Sequence, residues 1–262
     1  YDSKKSGGVT MSHLRFGKSP IKSTYLIRQA NFVACHNPSY VDKYNMVQEL
    51  VDGGTFLLNC SWDMEGLEEH LPGQVKSYIA NHNIKFYTID GIKIGKEIGL
   101  GGRINTVLQS AFFKLAAIIP EEEAIDLMKA AAKATYGRKG DKIVQMNYDA
   151  IDAGAKQVVE IAVPESWKDA ADEGLTTPHV GEGGRADVVD FVKNIQAKVN
   201  AQEGNTLPVS AFNEYVDGST PSGSSAYEKR GIAVDIPIWQ PDNCIQCNRC
   251  AYVCPHAVIR PI

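Results

Sequence analysis

The sequence has 262 residues, a net charge of −4, 44% hydrophobic and 22% charged residues, the composition of an ordinary globular protein with one large domain or one domain plus appendages. The acidic balance argues against a nucleic-acid or anionic-membrane partner, which would call for a basic excess. No apolar run approaches the roughly 20 residues needed to span a bilayer, and no basic start followed by an apolar stretch and cleavage site marks a signal peptide.

Up to about residue 160, strand-like and helix-like segments alternate. "NFVACH" (31–36) reads as a first strand, closed by the turn-forming "NPSY"; "VDKYNMVQELV" (41–51) reads as a helix stopped by "DGG" (52–54). "TFLLNC" (55–60) and "IKFYTID" (84–90) give two further strands, with polar helical material between them. Three helices follow. The first, 103–119, recurs at helical spacing through Ile104, Leu108, Ala111, Leu115 and Ile118. The second runs over 120–137, with Pro120 in its first turn, three glutamates at the positive end of its dipole and Gly137 at its stop. The third spans about 141–160.

Strands interleaved with helices predict βαβ units, a mainly parallel but mixed sheet and a three-layer α/β domain of Rossmann-like architecture. From Pro164 to Arg185 the pattern dissolves into a Gly-, Pro- and acid-rich stretch that reads as a linker or surface excursion. One more helix, with Val188, Phe191, Val192, Ile195 and Val199 on a face, closes the domain, and "DGSTPSGSSAYEKRGIAVDIP" reads as an extended connecting arm.

The densest chemistry lies in "PDNCIQCNRCAYVCPHAVIRPI". Cys244, Cys247, Cys250 and Cys254 are spaced C-x2-C-x2-C-x3-C, with Pro255 directly after. This is the iron–sulfur run of two-cluster ferredoxins, in which three thiolates serve one cluster and the fourth ligates the other. A structural zinc site is the alternative, although zinc usually takes two C-x2-C knuckles separated by a longer loop. The second run that completes both clusters does not follow, so no stable native [4Fe-4S] cluster is expected from these 262 residues alone. The start at Tyr1 rather than Met points the same way, to a piece of a longer chain. Cys35 and Cys60 lie in apolar strand runs and read as free buried thiols, consistent with a reducing cytoplasm.

Several stretches occur in a telling order: "YDSKKSGGVTMSHLRFG", "VACHNPSYVDKY", "GLGGRIN", "PVSAF", "YEKRGIAVDIP" and "CIQCNRCAYVCPHAVIRP". Over essentially its whole length the chain resembles the middle of pyruvate:ferredoxin (or flavodoxin) oxidoreductases, the long single-chain 2-oxoacid oxidoreductases. The resemblance implies a gamma domain over residues 1–204, and a connector over 205–240 carrying the triplet Glu228, Lys229 and Arg230. It implies the truncated start of a ferredoxin-like [4Fe-4S] domain over 241–262. It further implies oxidative decarboxylation of pyruvate on thiamine diphosphate with Mg, both bound by parts not present here, with the acetyl group passed to coenzyme A. The electrons travel through [4Fe-4S] clusters to ferredoxin or flavodoxin. The fragment alone is expected to be inactive, with the remaining domains of the enzyme as its partners. A gamma–delta fusion subunit of another 2-oxoacid oxidoreductase and a zinc-stabilised adaptor are the competing readings.

Within the family the gamma domain is implicated in holding coenzyme A. In "GLGGRIN", Gly99, Gly101 and Gly102 precede the 103–119 helix, where free backbone N–H groups and the dipole would face an anion. Arg103 stands at its mouth, and Asn105 and Gln109 share a helix face. "SKKSGG" adds Lys4 and Lys5 beside a flexible glycine pair. A tight loop and a solvated face are the structural alternatives, and the spacing is not the G-x-G-x-x-G of a dinucleotide fold. His36 directly after Cys35 is expected to be structural, since neighbours on a strand point to opposite faces. His256 is expected at the surface.

Overall fold

A computed structural model describes residues 9–171, 184–227, 237–255 and 257–260. The chain forms two units, Tyr1–Ile232 and Ala233–Ile262. The first is built on a four-stranded sheet in the order β1 (Ala30–Cys35), β2 (Leu50–Asn59), β3 (Lys85–Ile89), β4 (Val159–Glu160). β1, β2 and β3 are parallel, with Cys35 opposite Leu58 and Phe56 opposite Phe86, while β4 runs antiparallel to β3.

The period-2 alternation of strand side chains divides the core into two. Phe56, Leu58 and Phe86 enter one cluster, where α1 (Met64–His70) and α2 (Gly73–Asn81) supply Leu67, Leu71, Val75 and Ile79. Leu57 and Ile89 enter the other. There α3 (Gly91–Ile98), α4 (Asn105–Ala116) and α6 (Asp141–Lys156) supply Ile94, Val107, Leu108, Ala111 and Ala150. Helices therefore cover both faces of the sheet, the three-layer α/β arrangement with a mixed, mainly parallel sheet that the sequence predicts. α5 (Glu121–Tyr136) lies outside α4 and α6 and packs Met128 and Ala132 on Ile151.

Four expectations are corrected. The helix expected at 41–51 is absent: a 3-10 turn at Pro38–Tyr40 leads through turns into β2, which already begins at Leu50. Val41 and Val47 are fully buried, but six residues apart they do not define one helical face, and burying both favours a folded-back loop. "DGG" interrupts pairing inside β2 instead of ending a helix. Between Ala30↔Leu50 and Phe32↔Thr55 the β2 chain carries extra residues, and Gly53, at φ 70°, makes the bend that a side chain would disfavour.

The third long helix ends at Lys156, because Val159 and Glu160 leave it to pair with Thr88 and Tyr87 as β4. Finally, the stretch from Pro164 is not a free linker. Glu165–Asp169 forms a 3-10 turn whose Trp167 is 1% exposed, against Phe86 with ring centroids 6.3 Å apart. Most of the rest of that stretch lies outside the described residues.

The last helix of the first unit is continuous from Ala186 to Asn200, as α7 (Ala186–Phe191), a π turn at Val192–Gln196 and α8 (Ala197–Asn200). Its apolar stripe of Val188, Phe191, Val192 and Ile195 packs on Leu207, Tyr215 and Tyr227. Three 3-10 turns, at Gly204–Thr206, Val209–Tyr215 and Ser224–Tyr227, fold the arm back over it. The second unit holds a 3-10 turn at Pro241–Asn243 and α9 (Arg249–Val253), with Ile245, Tyr252 and Val258 exposed.

Candidate functional site

The glycine-rich loop joins α3 to α4, and its backbone turns inward. Gly99 takes the left-handed conformation at φ 90° that closes α3, and its N–H bonds to Gly95 O and Lys96 O. Leu100 and Gly101 donate to Gly95 O, Arg103 to Leu100 O and Ile104 to Gly102 O. The loop crosses α3 so closely that a Cβ on Gly95 would stand 2.6 Å from Gly101 O.

The expectation that Gly99 and Gly101 present free N–H groups to an anion is thereby corrected. These donors satisfy the carbonyl end of the preceding helix, the end whose dipole repels anions. Arg103, Asn105 and Gln109 are exposed around the start of α4, which has no side-chain cap. Gln109 also lines a cleft of about 330 Å³ between α4 and α5, with Thr106, Phe113, Met128 and Tyr136. Lys4, Lys5, the triplet Glu228–Arg230 and His256 lie outside the described residues.

At the carboxyl edge of the sheet a residue with no sequence signal organises the backbone. Asn59, 2% exposed at the end of β2, donates from Nδ2 to His36 O at 2.9 Å and accepts the Gly91 N–H at 2.9 Å. It ties the end of β1 to the start of α3, with Asp90 accepting the Lys93 N–H one position before. Beside it, Cys35 and Cys60 are free and buried. Burial pushes the Cys35 thiol up to about 12 and the Cys60 thiol up to about 11. Neither suits a nucleophile at neutral pH. Cys35 points into the core while His36 is exposed, so the two do not pair.

In the second unit the cysteine run forms an open, shaped loop. Gln246 and Asn248, one in each of the first two spacers, take left-handed conformations at φ 55° and 57°. They coil the chain between the cysteines, and beyond the run the Val258 N–H donates to Cys254 Sγ at 3.3 Å. The Gln246 main chain first, and the Trp239 side chain second, favour the thiolate and hold the Cys244 thiol below the usual thiol range. Cys244, Cys247 and Cys250 are exposed and Cys254 is half-buried.

Four soft thiol donors, one of them accepting the Val258 N–H, suit an iron–sulfur cluster, whose ligands sit on different irons and share charge with surrounding donors. Among the described residues no three Cys, His, Asp or Glu side chains meet around a single point. Among these residues, too, no helix is long and apolar enough to cross a membrane.

Comparison with known proteins adds three family matches. Residues 1–157 match the pyruvate ferredoxin/flavodoxin oxidoreductase family, 182–233 a domain of unknown function named EKR, and 236–259 a 4Fe-4S binding domain. The chain is 52% identical over 262 residues to a pyruvate-flavodoxin oxidoreductase of Enterobacter agglomerans. It is 53% identical over 261 residues to a pyruvate:ferredoxin oxidoreductase of Moorella thermoacetica. Each alignment covers 100% of this chain and 22% of the relative, so the chain spans under a quarter of the length of these proteins. A crystal structure of pyruvate oxidoreductase subunit PORC from Thermotoga maritima superposes with a TM-score of 0.41 at 16% identity, covering 51% of this chain and 66% of that one. The chain belongs to the pyruvate ferredoxin/flavodoxin oxidoreductase family.

Proposed function

We propose that the chain is an internal segment of an enzyme that oxidatively decarboxylates pyruvate with coenzyme A and passes the electrons through [4Fe-4S] clusters to ferredoxin or flavodoxin. One observation carries the reading: the unbroken alignment at 52–53% identity to enzymes so named, with the cysteine run inside the stretch that matches a 4Fe-4S binding domain. In this reading Cys244, Cys247 and Cys250 hold one cluster and Cys254 contributes to a second. Thiamine diphosphate and Mg are held by other parts of the enzyme, which are the segment's partners. Six free cysteines suit a reducing compartment such as the cytoplasm.

Residues 1–204 form the gamma-type domain, 205–240 the connector and 241–262 the opening of the cluster domain, with one adjustment. The helix Ala186–Asn200 packs on Leu207, Tyr215 and Tyr227, which favours starting the connector before Ala186. Coenzyme A is assigned to Arg103, Asn105 and Gln109 with Lys4 and Lys5. After the inward turn of the glycine loop, its phosphates would depend on these side chains rather than on Gly99 or Gly101.

The test uses the longer protein that carries this segment. Viologen reduction should require pyruvate and coenzyme A, and Cys247→Ser should abolish it and lower the iron content. Arg103→Ala should raise the KM for coenzyme A and leave that for pyruvate unchanged. Zinc without iron in the purified protein, or dye reduction indifferent to coenzyme A, would refute the reading.

A further inference from the structure

β1 ends the sheet on one side, yet its residues are those of an interior strand. Phe32 packs against one core cluster and Val33 against the other, and no charged residue occurs along Ala30–Cys35. Strands apolar on both faces belong inside a parallel sheet, whereas edge strands are blunted by charges or proline. The cover of β1 is incomplete. In β2, which is paired on both sides, Phe56 and Leu57 are buried, but Val33 and Ala34 opposite them are only half-buried. Among the described residues no further strand joins the free edge of β1.

The arm over 9–29 leads into β1 and carries the same kind of surface. Met11, Leu14, Phe16, Ile21, Tyr25 and Leu26 are all exposed, Leu14 at 66% and Leu26 at 70%. The arm is held in shape nonetheless. Arg15 donates to Ser23 O at 2.7 Å and lies 3.9 Å from the Tyr25 ring centroid, and His13 Nδ1 accepts the Ile27 N–H at 3.1 Å. The rings of Phe16 and Phe32 both meet Phe112 of α4, with centroids 6.2 and 5.1 Å away. An apolar patch that is fixed and left uncovered marks an interaction surface. Its charge is one-sided: Arg15, Lys18, Lys22 and Arg28 occur without a single Asp or Glu, in a chain whose net charge is −4. Arg15 Nη1, shielded from water, has no hydrogen-bond partner among the described residues.

We propose that the free edge of β1 and the arm over 9–29 form one interface inside the longer enzyme, filled by an extended segment of it that lies outside these 262 residues. That segment pairs its backbone along β1 and brings apolar and acidic side chains to the arm. The inference deepens the reading of the chain as part of a larger enzyme and rests on it. The relatives leave room for such a segment, since the chain spans 22% of their length. A second copy fits less well, because two-fold pairing of this face would set the four cations of each arm against one another.

Hydrogen exchange read by mass spectrometry tests this in the 262-residue chain and in the longer protein. In the chain alone, about half of the β1 amides face the free edge and should exchange fast, while those of 55–59 in β2 stay protected. In the longer protein the peptides over 30–35 and 10–26 should exchange at least about tenfold more slowly. Equal exchange in the two proteins would overturn the proposal. So would protection already present in the chain alone with a dimer in sedimentation, or protection of the chain alone by an oligonucleotide or phosphatidylserine vesicles but not in the longer protein. The double variants Leu14→Ser/Leu26→Ser and Lys18→Glu/Lys22→Glu should leave the melting temperature of the chain alone unchanged and lower that of the longer protein. An unmoved melt of the longer protein in either variant would overturn the apolar or the acidic half of the fit. Pyruvate-dependent viologen reduction is measured alongside. Protection without that activity would defeat the functional reading and leave the interface standing, and activity without protection would defeat the interface alone.

Discussion

Replacing Trp167 should reveal that the stretch after Pro164 belongs to the core. The indole is 1% exposed, lies against Phe86, and donates from Nε1 to Glu68 Oε2 on α1. The neighbouring backbone is held as well, with Ser77 Oγ and Asn81 Nδ2 on α2 donating to Lys168 O at 3.3 and 3.1 Å. Burying an aromatic side chain removes about 200 Å² from water, and at about 25 cal/mol per Å² this is worth about 5 kcal/mol as an upper value. Trp167→Ala should therefore cost about 3–5 kcal/mol in urea unfolding followed by far-UV circular dichroism.

Trp167→Phe retains most of the contact and loses the N–H bond, so about 1–2 kcal/mol is expected. It should also change the acid limb. The Trp167 N–H, and after it Lys76, hold the Glu68 carboxyl below the usual carboxylate range. The folded state then binds that proton less readily than the unfolded chain. The stabilisation is present at neutral pH and disappears as pH falls from the ordinary glutamate range through the folded value. Trp167→Phe should flatten this fall. A Trp167→Ala cost below about 1 kcal/mol, in the range of a surface substitution, would refute the placement of this turn in the core.

Gly154→Ala should destabilise by at least about 1–3 kcal/mol, because its Cβ would stand 2.3 Å from Val107 O and 2.9 Å from Ser110 Cβ between α6 and α4. Gly102→Ala, whose Cβ meets nothing within 4 Å, should stay within about 0.5 kcal/mol, and equal costs in thermal melts would contradict this packing. With a thiol reagent at pH 8, Cys244, Cys247, Cys250 and Cys254 should react quickly, and Cys35 and Cys60 only after denaturation; six fast thiols would show the core to be open. Because burial raises Cys35 to about 12 and Cys60 to about 11, the unfolded chain gives up these protons first as pH climbs above about 8.5. Stability should fall across that alkaline range, and less steeply in Cys35→Ala.

What the sequence reveals of the fold follows the length of its patterns. The three parallel strands and the helices at 105–116 and 121–136 repeat their apolar residues often enough to fix type and approximate extent. The short or non-periodic pieces do not. β4 has two residues, and its pairing with Thr88 and Tyr87 is a tertiary event that no local signal announces. The 41–51 stretch has good helix formers, yet Val41 and Val47 gain more by burial in a loop than one helix face could give them. Trp167 sits in a polar, proline-containing context, and its burial depends on α1 and α2, about 90 to 100 residues earlier.

The same division runs through the candidate sites. The metal ligands are legible because convergence of thiolates from one tight loop is a local property, written in the spacing of 244–254. The glycine loop is local too, but its reading depends on which way the N–H groups point. Glycine spacing leaves that open, since a glycine that ends α3 and a glycine that opens α4 are spelled alike. Here the first task takes Gly99 and Gly101. Asn59 is not legible in the sequence at all. Asn59 is ordinary in sequence and acts only because β1 and α3 arrive beside it from distant positions.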